Sequence, residues 1–439
     1  MTDRPRVLVI AEAANPEWMS VPLVGWSLAH ALREVAKVTL VTQIRNRDAI
    51  LRAGYRENAD FVAIDSEAFA RPMHRLGALL RGGKGKGWTT STAIGALAYP
   101  YFERLVWDRF GADIAAGAYD LVHRVTPVSP TVNGGLARRC KRAGVPFVLG
   151  PLNGGVPWPA AFDRERRQER EWLSYVRGVY KVLPGRKSTI DASAAILAGS
   201  RHTLGELPRG AQPRAIWLPE NAIDPARFDL DRPRPPFEPP LRAAFVGRLV
   251  PYKGPDMALT AALPLLKDGR MRFDVLGDGP MMPALRALVS EAGVEDAVTF
   301  HGMVPHVEVE RVLGRADVLA FPSIREFGGG VVLEAMALGT VPVVVNYAGP
   351  GELVTPDTAI PLPLGDRESI VAAMREALEA LAADASRLGP LSEAGRSMVR
   401  DHFTWAAKAR QVRDVYDWVL GRRADKPSFR ARAGTGHAA

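Results

Sequence analysis

Short apolar runs alternate with longer stretches of helical periodicity along most of this chain. In the first half the runs are Arg6–Ala11, Val38–Gln43, Leu121–Val125, Pro146–Gly150 and Ala194–Ser200. In the second half they are Ala243–Leu249, Arg272–Gly277, Ala297–Gly302, Asp317–Ser323 and Val341–Tyr347. Strands spaced by helices predict parallel sheets covered on both faces, so the fold class is α/β with two such sheets. Between the two sets lies Asp229-Leu-Asp-Arg-Pro-Arg-Pro-Pro-Phe-Glu-Pro-Pro240, too rich in proline to hold a helix or a central strand. The pattern divides the chain into a first domain over 1–222, a linker over 223–241 and a second domain over 242–403. A final helix is expected within 404–422. Residues 423–439 are small, basic and interrupted by Gly and Pro, and are expected to be disordered.

Composition narrows the class. The 439 residues suit two or three domains, and 47% hydrophobic content is ample for packed cores. No run approaches the ~20 apolar residues of a membrane span. The run Val7–Ala11 is too short for a signal peptide, and the single Cys140 fits a reducing compartment, so a cytoplasmic location is expected. Residues 1–240 carry 34 Lys and Arg against 24 Asp and Glu, a net +10, and the remainder carries −1. Residues 71–100 hold Arg71, Arg75, Arg81, Lys84 and Lys86 with no acid. Such a half would be drawn to an anionic membrane surface, or it is a solvated Arg-rich face. The aromatic stretch beside it, Ala93–Phe110, reads as an amphipathic helix, either at a membrane interface or packed on its own domain. No nucleic-acid-binding module is visible.

Candidate chemistry concentrates in the second half. Glu326-Phe327-Gly328-Gly329-Gly330-Val-Val-Leu-Glu334 follows a strand and opens a helix. Consecutive glycines let a ligand approach the backbone, and free N–H groups at the helix start favour an anion. Two carboxylates flanking that cradle suit paired sugar hydroxyls. Upstream, Gly247-Arg248-Leu-Val-Pro-Tyr-Lys253-Gly ends another strand and sets two cations beside it. They suit a departing diphosphate and could replace a metal ion. Gly277-Asp278-Gly279-Pro280 again places glycines after an apolar strand.

With these motifs in this order, the chain resembles the retaining glycosyltransferases of family 4 (glycosyl transferases group 1). The likeness is dense from Ala243 to Glu352. It implies the GT-B fold, two Rossmann-like doubly wound domains facing a central cleft, with the last helix packing back on the first domain. It implies a nucleoside-diphosphate sugar donor, such as a UDP- or GDP-sugar, held by the second domain, and no cofactor. Glu326 would hold sugar hydroxyls and Glu334 the ribose. Arg248 and Lys253 would take the diphosphate, and the loop at Gly302-Met303 would hold the base through backbone groups. Many relatives carry Gly-Gly early in the first domain, where this chain has Met19-Ser20; Ser20 is expected to cap the following helix and offer its hydroxyl. Many also carry His-x-His in a middle strand, where this chain has His123 and Val125. His123 is therefore either a site residue at a strand end or a structural histidine. Asn153, Gly154 and Trp158 are candidates for the acceptor side, or a tight turn. Asp229-Leu-Asp231 matches the metal signature of the other large glycosyltransferase fold but lies in the linker, and no metal is expected.

The resulting expectation is a metal-independent retaining transferase acting on a cell-surface glycan or lipid-linked precursor, with peripheral membrane contact. The alternatives are a sugar-nucleotide epimerase of similar fold and a non-catalytic binder of sugar nucleotides or membrane surfaces.

Overall fold

The computed structural model describes residues 4–67, 88–168, 185–230, 234 and 236–429. They form two compact units. The first takes the chain up to Gly154, the stretch ending at Glu220, and Lys408–Phe429. The second takes the stretch beginning at Gly155 and all of Asn221–Ala407.

The first unit is built on a seven-stranded parallel sheet. Its strands are β1 (Arg6–Ala11), β2 (Lys37–Gln43), β3 (Phe61–Ile64), β4 (Leu121–Thr126), β5 (Phe147–Leu152), β6 (Ala195–Ala198) and β7 (Ala215–Trp217), in spatial order β3-β2-β1-β4-β5-β6-β7. The second sheet has six strands: β8 (Leu241–Val246), β9 (Met271–Leu276), β10 (Val298–Gly302), β11 (Val318–Phe321), β12 (Val341–Val345) and β13 (Ile360–Leu362), ordered β10-β9-β8-β11-β12-β13. Each order reverses once, between β1 and β4 and between β8 and β11. Ligands of doubly wound sheets bind outside the carboxyl ends of the strands at such a reversal. Strands β3, β7 and β13, at the ends of the two sheets, are not among the runs read from the sequence and have only three or four residues.

The aromatic stretch forms part of the helix Trp88–Ala115. Tyr99, Phe102, Val106, Phe110 and Ile114, one helical stripe, are buried against Leu8 and Ile10 of β1 and Val122 of β4. This overturns the membrane-interface reading of the helix. At roughly 1.5–3 kcal/mol for each large apolar side chain, exposing the stripe would cost on the order of a domain's entire net stability. The basic residues Arg71, Arg75, Arg81, Lys84 and Lys86 lie outside the described residues. Among the described residues no helix is long and apolar enough to cross a membrane.

Two further pieces of chain are tied down where the sequence suggests looseness. Within the linker, Phe228 and Leu230 are buried in the core of the second unit, and Ile223 N donates to Phe403 O at 2.7 Å. Asp231 lies outside the described residues. Residues 423–429, expected to be disordered, instead lie on the first unit: Pro427 is buried and Lys426 Nζ donates to Ala215 O at 3.2 Å. They follow the helix Trp405–Val419, whose Arg413 Nη1 donates to Val35 O at 2.8 Å and whose Tyr416 is fully buried.

Candidate active site

The reversal point of the second sheet gathers most of the candidate residues. β8 ends at Val246, and Gly247 turns the chain toward the short 3-10 turn Pro251–Lys253. β11 ends at Phe321 and leads through Arg325 and Glu326 into the glycine loop and the helix Gly330–Leu338. That helix is apolar on nearly every side, with Val332, Leu333, Ala335, Met336 and Ala337 buried. Packing therefore fixes it rigidly, and its start faces the loop. Gly329 caps it at φ 55°, a left-handed conformation that glycine adopts without strain. Under the loop, Gly349 N donates to Glu326 O at 3.0 Å.

Lys253 and Glu326 come together here. Nζ of Lys253 lies 2.7 Å from Oε2 of Glu326, with each side chain about one-fifth exposed (19% and 21%). Lys253 also sits over the Phe321 ring, 5.4 Å from its centroid. A partly exposed ion pair contributes about 0–1 kcal/mol, little enough to be exchanged for ligand contacts. Arg248 stands nearby in sequence, exposed and without an ion pair among the described residues. A Cβ at Gly277 would lie 2.0 Å from Gly247 O, and one at Gly279 2.4 Å from Leu249 O. The glycines of the Gly-Asp-Gly motif are thus required by the packing of one strand end on its neighbour. Asp278 is exposed and accepts the Gly279 N–H at 2.7 Å.

Glu334 has a different environment. Burial pushes its carboxyl up to about 7, against the pull of the Arg227 charge. No hydrogen bond reaches it among the described residues; His306 Nε2 is 3.7 Å from its Oε1, beyond hydrogen-bond range. The His306 ring packs edge-on against Phe228 at 5.6 Å, and burial together with Arg227 holds that imidazole below its ordinary value. A half-buried carboxyl, about a quarter exposed and without protein donors among the described residues, at the first turns of a helix beside a glycine loop, can accept from a hydroxyl-bearing ligand. Arg227 and His306 lie near Glu334, with Phe228 against the imidazole; the motifs do not reveal them, since they come from the linker and from a separate helix, His306–Leu313. Gly302 ends β10 at φ 67° in open space, and Met303 beside it is 78% exposed. Asn221 also approaches: its Nδ2 is 3.5 Å from where a Cβ on Gly330 would be.

Several candidates are placed elsewhere or differently. His123 lies in the middle of β4, not at its end, and is fully buried in the first unit. Its Nε2 donates to Gly150 O at 2.7 Å and its Nδ1 accepts from Tyr416 Oη at 2.6 Å. Burial lowers its pKa to about 4. With both nitrogens committed, the ring has no edge for a substrate, and the geometry assigns it to structure. Ser20 does not cap its helix: no side-chain cap bond forms, and the residue sits at φ 65°, ψ −137°. That is far from the extended conformation from which a cap hydroxyl reaches N2 or N3, and N2 is Pro22, with no N–H to offer. The backbone nonetheless takes a conformation that favours glycine, at a cost of about 1–3 kcal/mol. The acceptor-side trio is split. Asn153 donates through Nδ2 to Glu220 Oε1 at 2.8 Å and Gly154 N to Thr203 Oγ1 at 3.0 Å, both in the first unit. Trp158 belongs to the second unit, against Tyr252 and Arg325.

Residues 227–389 match the family model of glycosyl transferases group 1. The group 1 match encloses β8 to β13, both glutamates, both cations and all three glycine motifs, and it leaves Ser20, His123, Asn153, Gly154 and Trp158 outside. The chain is 33% identical over 223 residues to the 2-deoxystreptamine glucosyltransferase of Streptomyces kanamyceticus, covering 48% of this chain and 57% of that one. The chain spans about half the length of the curated relatives it matches. Solved structures resemble it over nearly its whole length. Anabaena Alr3699/HepE in complex with UDP has a TM-score of 0.60 at 15% identity, covering 93% of this chain and 98% of that one. Sucrose-phosphate synthase from Thermosynechococcus elongatus has a TM-score of 0.57 at 18% identity, covering 96% and 100%. The likeness extends to both sheets and establishes the GT-B fold.

Proposed function

We propose that this chain is a metal-independent, retaining glycosyltransferase of the family 4 type, moving a hexose from a nucleoside-diphosphate sugar to an acceptor. The observation that carries the reading is the Lys253–Glu326 pair beside the Gly329-capped helix, at the reversal of the sheet, inside the stretch that matches group 1 glycosyl transferases. The solved neighbour in complex with UDP supports a nucleotide-sugar donor.

On this reading the Lys253–Glu326 ion pair separates when donor arrives. Lys253 turns to the diphosphate together with Arg248 and the N–H groups at the start of the helix Gly330–Leu338. Glu326 turns to the sugar hydroxyls and Glu334 to the ribose. The bond from the anomeric carbon to the diphosphate breaks, the acceptor oxygen bonds to that carbon on the same face, and the acceptor proton passes to the departing phosphate oxygen. Charge that grows on the diphosphate is met by cations already in place, which lowers the barrier most where charge is largest. Phe327, Gly328 and Met303 border the sugar and base ends of the donor. The acceptor, a cell-surface glycan or lipid-linked precursor, is assigned to the first unit, and the net +10 of residues 1–240 favours peripheral contact with anionic membrane.

The test is a panel of nucleotide sugars screened by melting-temperature shift, followed by product analysis. One donor should shift Tm, its sugar should be transferred with the anomeric configuration kept, and EDTA should leave the rate unchanged. Inversion of configuration, or a rate lost on chelation and restored by magnesium, would sink the mechanism. A melting shift without transfer or donor hydrolysis would leave a binding protein instead.

A further inference from the structure

The segment just past Gly154 lies outside the group 1 match and belongs to the second unit, where it lies over the roots of the site. Phe162 anchors it, 1% exposed among Met257, Ile324, Val345 and Ile370. Pro157 O accepts from Tyr347 Oη at 2.9 Å. Between these anchors stands Trp158. Its ring meets Tyr252 edge to face, centroids 6.0 Å apart and planes at 86°, and the Arg325 guanidinium lies over it at 5.1 Å. Its indole N–H is buried and donates to nothing among the described residues, so ring packing holds it.

Tyr252 and Arg325 have one thing in common. Tyr252 immediately precedes Lys253, and Arg325 immediately precedes Glu326. The backbones of the same two segments are tied: Ile324 N donates to Tyr252 O at 3.0 Å and Ser323 Oγ to the same oxygen at 3.3 Å. A single indole thus spans the seam between the turn that carries the cation and the loop that carries the carboxylate. We infer that Trp158 is a positioning residue for the Lys253–Glu326 pair, supplied by the half of the chain that precedes the group 1 match. This rests on the function proposed above for that pair. An aromatic face is what the place requires, because a guanidinium stacks on a π surface and has no comparable attraction to an aliphatic one.

Two apolar variants separate this role from plain core filling. Trp158→Phe keeps an aromatic face; Trp158→Leu keeps an apolar side chain without one. Lysine amines can be methylated with 13C-formaldehyde and the Lys253 signal assigned with Lys253→Arg. In Glu326→Gln that signal marks the broken pair. Trp158→Leu should move the Lys253 signal toward that position, and Trp158→Phe should leave it at the wild-type one. Turnover of the identified nucleotide sugar should fall about tenfold in kcat in the Leu variant, with KM within about twofold, and largely recover in the Phe variant. A Leu variant with the wild-type Lys253 signal, or with wild-type kcat, overturns the inference, even if its Tm has dropped. If the wild type turns over no nucleotide sugar, the proposed function fails while the Lys253 signal still decides this inference.

Discussion

His123 in the first unit and Glu334 in the second are ionisable groups on elements that feed a sheet reversal, one fully buried and the other about a quarter exposed, and they differ in what surrounds their polar atoms. His123 has a hydrogen-bond partner at each nitrogen, within 2.6 and 2.7 Å. Among the described residues Glu334 has no hydrogen bond, only an imidazole at 3.7 Å and a guanidinium charge nearby. A buried polar group that is fully bonded stabilises one arrangement and offers nothing to a ligand. A half-buried carboxyl without protein donors is met by water, which a ligand's hydroxyls can replace. Lys253 and Glu326, about as exposed as Glu334, differ from it in being bonded to each other, in a contact that can be exchanged for ligand contacts.

The largest effect that could break this contrast lies with the cations. Lys253→Ala and Arg248→Ala should each lower kcat on the order of 10²–10³-fold, as loss of a transition-state charge partner does, with smaller change in KM. Steady-state rates on the donor found by screening decide it, and an effect confined to KM would mean ground-state binding only. Next in size is Glu326→Gln. It keeps the shape but loses charge-assisted bonds worth about 1.5–3 kcal/mol, which is roughly 10- to 100-fold in rate. Wild-type turnover in that variant would remove Glu326 from the sugar site. His123→Phe should do the reverse: unfolding stability should fall by about 1–3 kcal/mol, because Gly150 O and Tyr416 Oη lose a buried partner, while kcat per folded enzyme stays put. A stable variant with lost turnover would restore His123 to the chemistry.

The contrast also explains what the sequence reveals. The second unit's site was readable because strand end, glycine loop and helix start are contiguous, so Glu326, the glycines and Glu334 are placed by local chemistry alone. Arg227, His306 and Trp158 were not readable as parts of it, because each arrives from a different stretch and only tertiary packing brings it near. The helix Trp88–Ala115 shows a similar limit: its apolar stripe is evident from spacing, but spacing is silent on whether a sheet or a lipid covers it. His123 was ambiguous since its partners come from β5 and from Tyr416, 293 residues away. Ser20 shows local preference overridden. The chain imposes a glycine-favoured backbone on a serine, and the capping expected of the residue type is lost.

The smallest expected effects are in pH dependence, where the two groups pull in opposite directions. The His123 pKa is depressed to about 4 in the fold, so the stability it contributes is fully present above its unfolded value near 6.5 and is lost as pH falls toward 4. The Glu334 pKa is raised from 4.5 to about 7, so its ionisation penalises the fold: the penalty is absent below 4.5, grows between 4.5 and 7, and is complete above that. In the intervening range the two slopes partly cancel in the wild type. His123→Phe should uncover a Tm that falls as pH rises from 5 to 7 relative to wild type. Glu334→Gln should uncover one that rises over the same interval. Donor binding supplies the second readout. A ribose held by the Glu334 carboxylate binds the ionised form better, so donor affinity should strengthen several-fold as pH rises through about 7, and that dependence should vanish in Glu334→Gln. Binding that strengthens equally in both proteins would place the titration elsewhere and leave Glu334, like His123, without a part in donor binding.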